Sequence, residues 1–168
     1  MKMSDKRTIA AERQVVWAAL LDPEVLKACV PGCTEMSGSA EEGFEATVVQ
    51  KVGPVKATFK GAVTLSDMDE PNGLKLTGEG KGGAAGFAKG AAAVKLAEAE
   101  GGTEIAYDVE ANVGGKLAQL GSRIIDSFAK KMADQFFERF QAVVEGTEGG
   151  DAPEVSEEKK GWLARLRG

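Results

Sequence analysis

The sequence predicts an α+β domain in two layers: a curved antiparallel sheet of about six or seven strands wrapped around one long helix near the C-terminus. Three observations predict it. Apolar and polar residues alternate with period two over residues 44–48, 55–65 and 105–113, as half-buried strands require. Gly53-Pro54, Pro71-Asn72-Gly73 and Gly101-Gly102 punctuate these runs, and such short connections make hairpins, so neighbouring strands run antiparallel. From Gly115 to about Val144 the period changes to three or four, through Leu117, Leu120, Ile124, Phe128, Met132, Phe136, Phe140 and Val143. A helix with that stripe must bury it, and the sheet is the one partner large enough.

The elements follow in order. Residues 2–9 form a polar first strand, with Met3 and Ile9 as its apolar members. Over residues 11–21 Val15, Val16, Ala19 and Leu20 recur at helical spacing beside Trp17. Asp22-Pro23 ends that helix and starts a second, with Asp22 as N-cap and Pro23 at the first helical position. Pro31-Gly32 ends the second helix. Strands follow at residues 44–48 and 55–65, around Leu74 and Leu76, and at 88–96 and 105–113. The glycine-rich run from Gly78 to Gly90 predicts a bulged, bent hairpin. Residues 1–145 make the domain, 146–154 a flexible linker rich in glycine, and 155–168 a separate tail.

Composition removes most enzyme classes. The 168 residues contain no histidine, which excludes Ser-His-Asp and Cys-His catalysis and histidine-ligated metals. Cys29 and Cys33 are the only cysteines, too few for a four-thiolate zinc site within one chain. With Pro31-Gly32 between them they predict a structural turn holding one buried thiol. No catalytic residue, metal or resident cofactor is expected. A net charge of −5 repels a phosphate backbone, so no nucleic-acid partner is expected either. No apolar run approaches the roughly 18 residues needed to span a bilayer. The charged N-terminus leads into no apolar core, which predicts a cytoplasmic protein without a secretory signal.

The glycine run is the most unusual stretch. It matches neither G-x-x-x-x-G-K-[ST] nor G-x-G-x-x-G, so phosphate binding is not indicated. In strands, Leu74, Leu76, Gly78, Gly80 and Gly82 share one face, as do Ala88, Gly90, Ala92, Val94 and Leu96. If that face looks at the long helix, side-chain volume is missing where the layers meet, and missing volume either collapses or takes a guest. The expected result is a hydrophobic cavity lined by Phe59, Val63, Leu76, Phe87, Tyr107, Leu120, Ile124 and Phe128, with Tyr107 and Ser122 as its polar anchors. The carboxylates Glu41, Glu42, Asp69, Glu70, Glu104, Asp108 and Glu110 fall beside turns or on outward strand positions. Asp126, on the long helix, is the single acid whose pattern leaves an inward role open.

In the tail, Val155, Lys159, Trp162, Leu163 and Leu166 align on one helical face, Ser156-Glu157-Glu158 makes a helix start, and Lys160, Arg165 and Arg167 flank it. Beyond Glu158 there are bases and no acids. Tryptophan among basic residues on a short amphipathic segment is the pattern of an interfacial membrane anchor, so Lys159, Lys160, Trp162, Leu163, Arg165, Leu166 and Arg167 are the predicted membrane-binding residues.

The order of strand, two short helices, strand meander and long terminal helix resembles the START-like (SRPBCC) helix-grip superfamily. Several stretches are similar to the CoxG family of carbon monoxide dehydrogenase subunits: Val16-Trp17 with Leu20 and Asp22-Pro23-Glu24, Cys29-Val30-Pro31-Gly32-Cys33, Val52-Gly53-Pro54-Val55, the run from Gly78 to Gly90, and Gly114-Gly115-Lys116-Leu117-Ala118-Gln119-Leu120-Gly121. The resemblance implies a non-catalytic accessory protein of a molybdenum-containing CO dehydrogenase-type hydroxylase, working at the inner face of the cell membrane. With the apolar cavity, it leads to a quinone-like lipid such as menaquinone or ubiquinone as the expected guest. The alternatives are a START-like enzyme of the cyclase or hydratase kind, a lipid-transfer protein unrelated to CO dehydrogenase, and a purely structural partner with a filled core.

Overall fold

Local signals set most element ends. The computed structural model describes residues 1–146, so the predicted tail, and the predicted linker apart from Gly146, lie outside the described residues. Strand β1 (Lys2–Ile9) leads into helices α1 (Arg13–Leu20) and α2 (Pro23–Cys29). The Asp22 carboxylate accepts the Glu24 backbone N–H at 2.9 Å, and Pro23 occupies the first turn of α2, where its missing N–H has no intrahelical partner to lose. The meander follows as β2 (Cys33–Ser39), β3 (Gly43–Val52), β4 (Val55–Asp69), β5 (Gly73–Lys81), β6 (Phe87–Ala99) and β7 (Gly102–Gly114). A short helix α3 (Lys116–Gln119) precedes the long α4 (Ser122–Glu145).

The seven strands form one sheet in the order β1-β7-β6-β5-β4-β3-β2, with every neighbouring pair antiparallel. It curls around α4 as a helix-grip fold. The first strand returns to pair with the last, Met3 opposite Val109 and Ile9 opposite Thr103.

The structure departs from the sequence expectations at three places. Strand β2 has no counterpart among them. Its sequence, CTEMSGS, lacks alternation, and it forms as an edge strand on the ladder of β3, with an irregularity between Cys33 and Glu35. The glycine run is not bulged: β5 and β6 pair without a shift from Gly73 opposite Lys95 to Lys81 opposite Phe87. The reversal is made at the tip by a 3-10 turn, Gly83–Ala85, with Gly83 at φ 60° and Gly86 at φ 110°. The long helix is divided. Gly121 has φ 88°, a conformation open to glycine and strained for other residues, and it separates α3 from α4.

The two ends of the domain are packed differently. At the end of β1, α1 and the last turns of α4, Ile9, Val16, Trp17, Ile105, Phe140 and Val144 are buried in one cluster. The buried Thr103 hydroxyl donates to the Ala11 carbonyl at 2.8 Å there. Toward the N-terminal half of α4 the sheet and helix separate.

Candidate functional site: an apolar cavity

Between the sheet and α4 lies a cavity of about 650 Å³, within the range of small-molecule sites. Alternation aims one face of each strand into it: Phe44, Val48 and Val52 from β3, Phe59, Val63 and Leu65 from β4, Leu74, Leu76 and Gly80 from β5. Ala88, Ala92 and Val94 of β6 and Tyr107, Val109 and Val113 of β7 continue the wall. Helix α4 supplies Ile125, Phe128, Ala129, Met132, Ala133, Phe136 and Phe137, and the α1–α2 region supplies Leu20, Leu26 and Val30.

The volume is left by small residues in the strand centres. A Cβ built on Gly80 would meet nothing within 4 Å, and Gly80 lies directly opposite Ala88 on β6. The sheet also stays open because Gly82 lets the Phe59 ring lie against the β5–β6 tip, where an added Cβ would come to 2.5 Å from that ring.

Of the residues predicted to line a cavity, Phe59, Val63, Leu76, Tyr107 and Phe128 come together on its wall. Phe87, Leu120 and Ile124 do not line it. Phe87 is 41% exposed on the outer face of the sheet, over Gly114, opposite in parity to the inward Ala88. Ile124 is 38% exposed, and Leu120 lies in the α3–α4 connection, half-buried. Of the predicted polar anchors, Tyr107 is buried in the wall, whereas Ser122 is exposed at the start of α4. Asp126 is also exposed and faces away from the lining.

Two polar features escaped the sequence reading. Gln50 of β3 reaches the lining, and its amide N–H donates to the Pro31 carbonyl, tying the end of α2 to the sheet. Its signal was available, since Val48, Gln50 and Val52 share one parity. The second is Arg7, on the inward face of the edge strand β1. It forms an ion pair with Asp134 of α4, and its guanidinium sits 5.0 Å above the Phe137 ring. Phe137 in turn stacks on Tyr107 at 5.1 Å. Burial disfavours the Arg7 charge, but hydrogen bonds to Asp134 and Tyr107 outweigh it and hold the guanidinium above its ordinary pKa. The group closes the seam between β1 and α4 beside the cavity.

Cys29 is fully buried in the core and Cys33 is half-buried, and neither is in a disulfide. Burial pushes the Cys33 thiol up, against a hydrogen bond to the Glu35 carbonyl and the nearby Lys27 charge, which lower it. Among the described residues no group of three or more His, Cys, Asp or Glu side chains is placed to hold a metal. No described helix is long and apolar enough to cross a membrane.

A strand-lined apolar cavity closed by a C-terminal helix fits the family model for the CoxG component of carbon monoxide dehydrogenase, which matches residues 6–145. The chain belongs to the CoxG family. Its fold is shared widely. A conserved protein from Geobacillus kaustophilus aligns with a TM-score of 0.80 at 26% identity, over 86% of this chain and 95% of that one. A protein from Chromobacterium violaceum aligns with a TM-score of 0.64 at 15% identity, over 86% and 96%. One from Rhizobium leguminosarum gives 0.65 at 14%, over 86% and 94%. The last two establish the fold alone. A comparison with curated protein sequences finds no match. CoxG is by its description a family of dehydrogenase subunits, and this chain is in that sense an accessory protein associated with CO dehydrogenase.

Proposed function

We propose that this CoxG protein is a non-catalytic subunit that holds a quinone-like lipid in its cavity and carries it between a molybdenum-containing CO dehydrogenase-type hydroxylase and the membrane quinone pool. The observation that supports this is the cavity itself, about 650 Å³ with a wall that is apolar apart from Tyr107 and Gln50. A guest burying about 300 Å² of apolar surface gains roughly 7 kcal/mol, at about 25 cal/mol per Å², before ordering costs. The Tyr107 hydroxyl suits the carbonyl of a quinone head, and the smooth wall of β4–β6 suits an isoprenoid tail. A cyclase or hydratase would need an acid or base against its substrate, and the lining residues include no carboxylate.

Membrane contact in this reading comes from the basic segment at residues 155–168, which would keep the protein peripheral at the cytoplasmic face. Native mass spectrometry of the protein released from its own membranes tests the cargo. A mass increment equal to a menaquinone or ubiquinone is expected, and protein that repeatedly arrives with no lipid would overturn the proposal. Deleting residues 154–168 is expected to abolish liposome co-sedimentation without moving the thermal midpoint, and undiminished co-sedimentation would remove the tail from the scheme.

A further inference from the structure

The charge of the folded domain is divided along its strand axis. The β2–β3, β4–β5 and β6–β7 turns lie at one end with Glu41, Glu42, Asp69, Glu70, Glu98 and Glu100, all exposed. The opposite end is made by the β3–β4 hairpin, the tip between β5 and β6, and the start of α4. It presents Lys51, Lys56, Lys60, Lys81, Lys116 and Arg123, all exposed. Lys81 alone of these is in an ion pair among the described residues, with Glu79 at 3.7 Å. Basic residues are thus gathered on one end of a protein whose net charge is −5.

The same end carries the apolar side chains that the cavity does not use. Phe87 begins β6, and Ile124 lies in the first turn of α4; both are exposed. The β3–β4 hairpin comes over to meet the helix, so that a Cβ built on Gly53 would lie 3.6 Å from Ile124 and 3.9 Å from Leu120. The cavity reaches this end at Val52, Phe59, Val113 and Leu117.

We propose that this end of the domain docks on an anionic lipid surface through Lys51, Lys56, Lys81, Lys116 and Arg123, with Phe87, Leu120 and Ile124 set into the interface. Exposed apolar side chains ringed by bases match a bilayer of negative headgroups: the charges gain from the surface potential while the rings and methyls leave water. An acidic protein surface would satisfy the bases but would leave the dispersed apolar residues without a matching groove. Docking in this orientation turns the acidic end toward the cytoplasm and sets the end of the cavity against the bilayer. The surface is built by the folded domain and is separate from the membrane contact proposed for the tail.

The test uses the full chain and two variants of equal net charge. Lys51→Glu/Lys56→Glu/Lys81→Glu reverses the docking end, and Lys6→Glu/Lys75→Glu/Lys95→Glu reverses exposed lysines elsewhere. Binding to vesicles of phosphatidylglycerol and phosphatidylcholine is measured by co-sedimentation, with thermal midpoints as a check on folding. The first variant is expected to bind at least tenfold more weakly than the second. A conservative companion, Phe87→Ser/Ile124→Ser, is expected to lose binding while keeping every charge. Equal binding by the two charge variants, or full binding by the serine variant, would overturn the docking face. That result would leave the tail's contribution intact, because the tail is unchanged in all of these proteins. Loss of binding on tail deletion alone, with every domain variant unaffected, would likewise overturn it.

Discussion

Gly80 shows how one absent side chain can shape a site. Its neighbours across the sheet and on α4 stay more than 4 Å from where a Cβ would stand, and its φ lies outside the left-handed range, so a larger residue meets neither a clash nor backbone strain. Gly80→Leu is expected to fold with an unchanged or higher thermal midpoint and to retain at least tenfold less co-purified lipid by native mass spectrometry. Gly102 is the contrasting case. Its φ is 158° and a Cβ would stand 2.0 Å from the Ile9 carbonyl oxygen, so Gly102→Ala is expected to destabilise the domain without any change in the cavity. The two thiols differ by the same logic of surroundings. Burial holds Cys33 protonated above the ordinary thiol range, and the proton is bound more tightly folded than unfolded. Stability therefore falls as pH rises past the ordinary thiol pKa. At pH 8, iodoacetamide is expected to modify Cys33 more slowly than a thiol in a short peptide, and to reach Cys29 only on unfolding.

Helix α4 is two devices on one element. Its last turns bury Phe137, Phe140 and Val144 in the packed cluster, while Ile125, Phe128 and Met132 face the cavity. Phe140→Ala is expected to cost about 3–5 kcal/mol in denaturant unfolding, as for a fully buried aromatic. Phe128→Ala is expected to cost clearly less, because fewer atoms surround that ring, and to show its effect in lipid retention. This division is only partly legible in the sequence. A stripe stepping by four drifts roughly 40° per step around a helix of 3.6 residues per turn, which is why Ile124 leaves the inward face and Ile125 and Phe137 join it. For Phe87 the deciding rule is legible: its parity is opposite to that of Ala88, and a strand cannot aim both inward. Most of the sheet is legible because alternation and turn residues agree. Strand β2 is not, because an edge strand held by one neighbour needs no apolar face. The ion pair of Arg7 with Asp134 cannot be read at all, since nothing local records which residues meet across 127 positions of chain.

At the scale of the whole molecule, packing and charge run along the same axis. The filled end, with α1 and the core cluster, carries the acidic turns, and the hollow end carries the bases. The seam between β1 and α4 is held shut beside the cavity by Arg7, Asp134 and the stacked Phe137 and Tyr107 rings. Asp134→Asn is expected to lower the thermal midpoint only modestly, because Asp134 is about half exposed and such pairs contribute little. It is also expected to speed lipid exchange between labelled vesicles severalfold, as the seam opens more often. An unchanged exchange rate would assign the pair to packing alone.

The hollow end has a mechanical consequence. Folded proteins give way under hydrostatic pressure to the extent that unfolding eliminates internal void, and here that void is concentrated between β4–β6 and the first half of α4. Compression should therefore act first on that half of the molecule, with hydrogen exchange rising along β5 and β6 before it rises at Ile105 or Phe140. A lipid that fills the space removes the compressible volume. Pressure would then separate loaded from unloaded protein without a label, by the force each withstands rather than by what it binds.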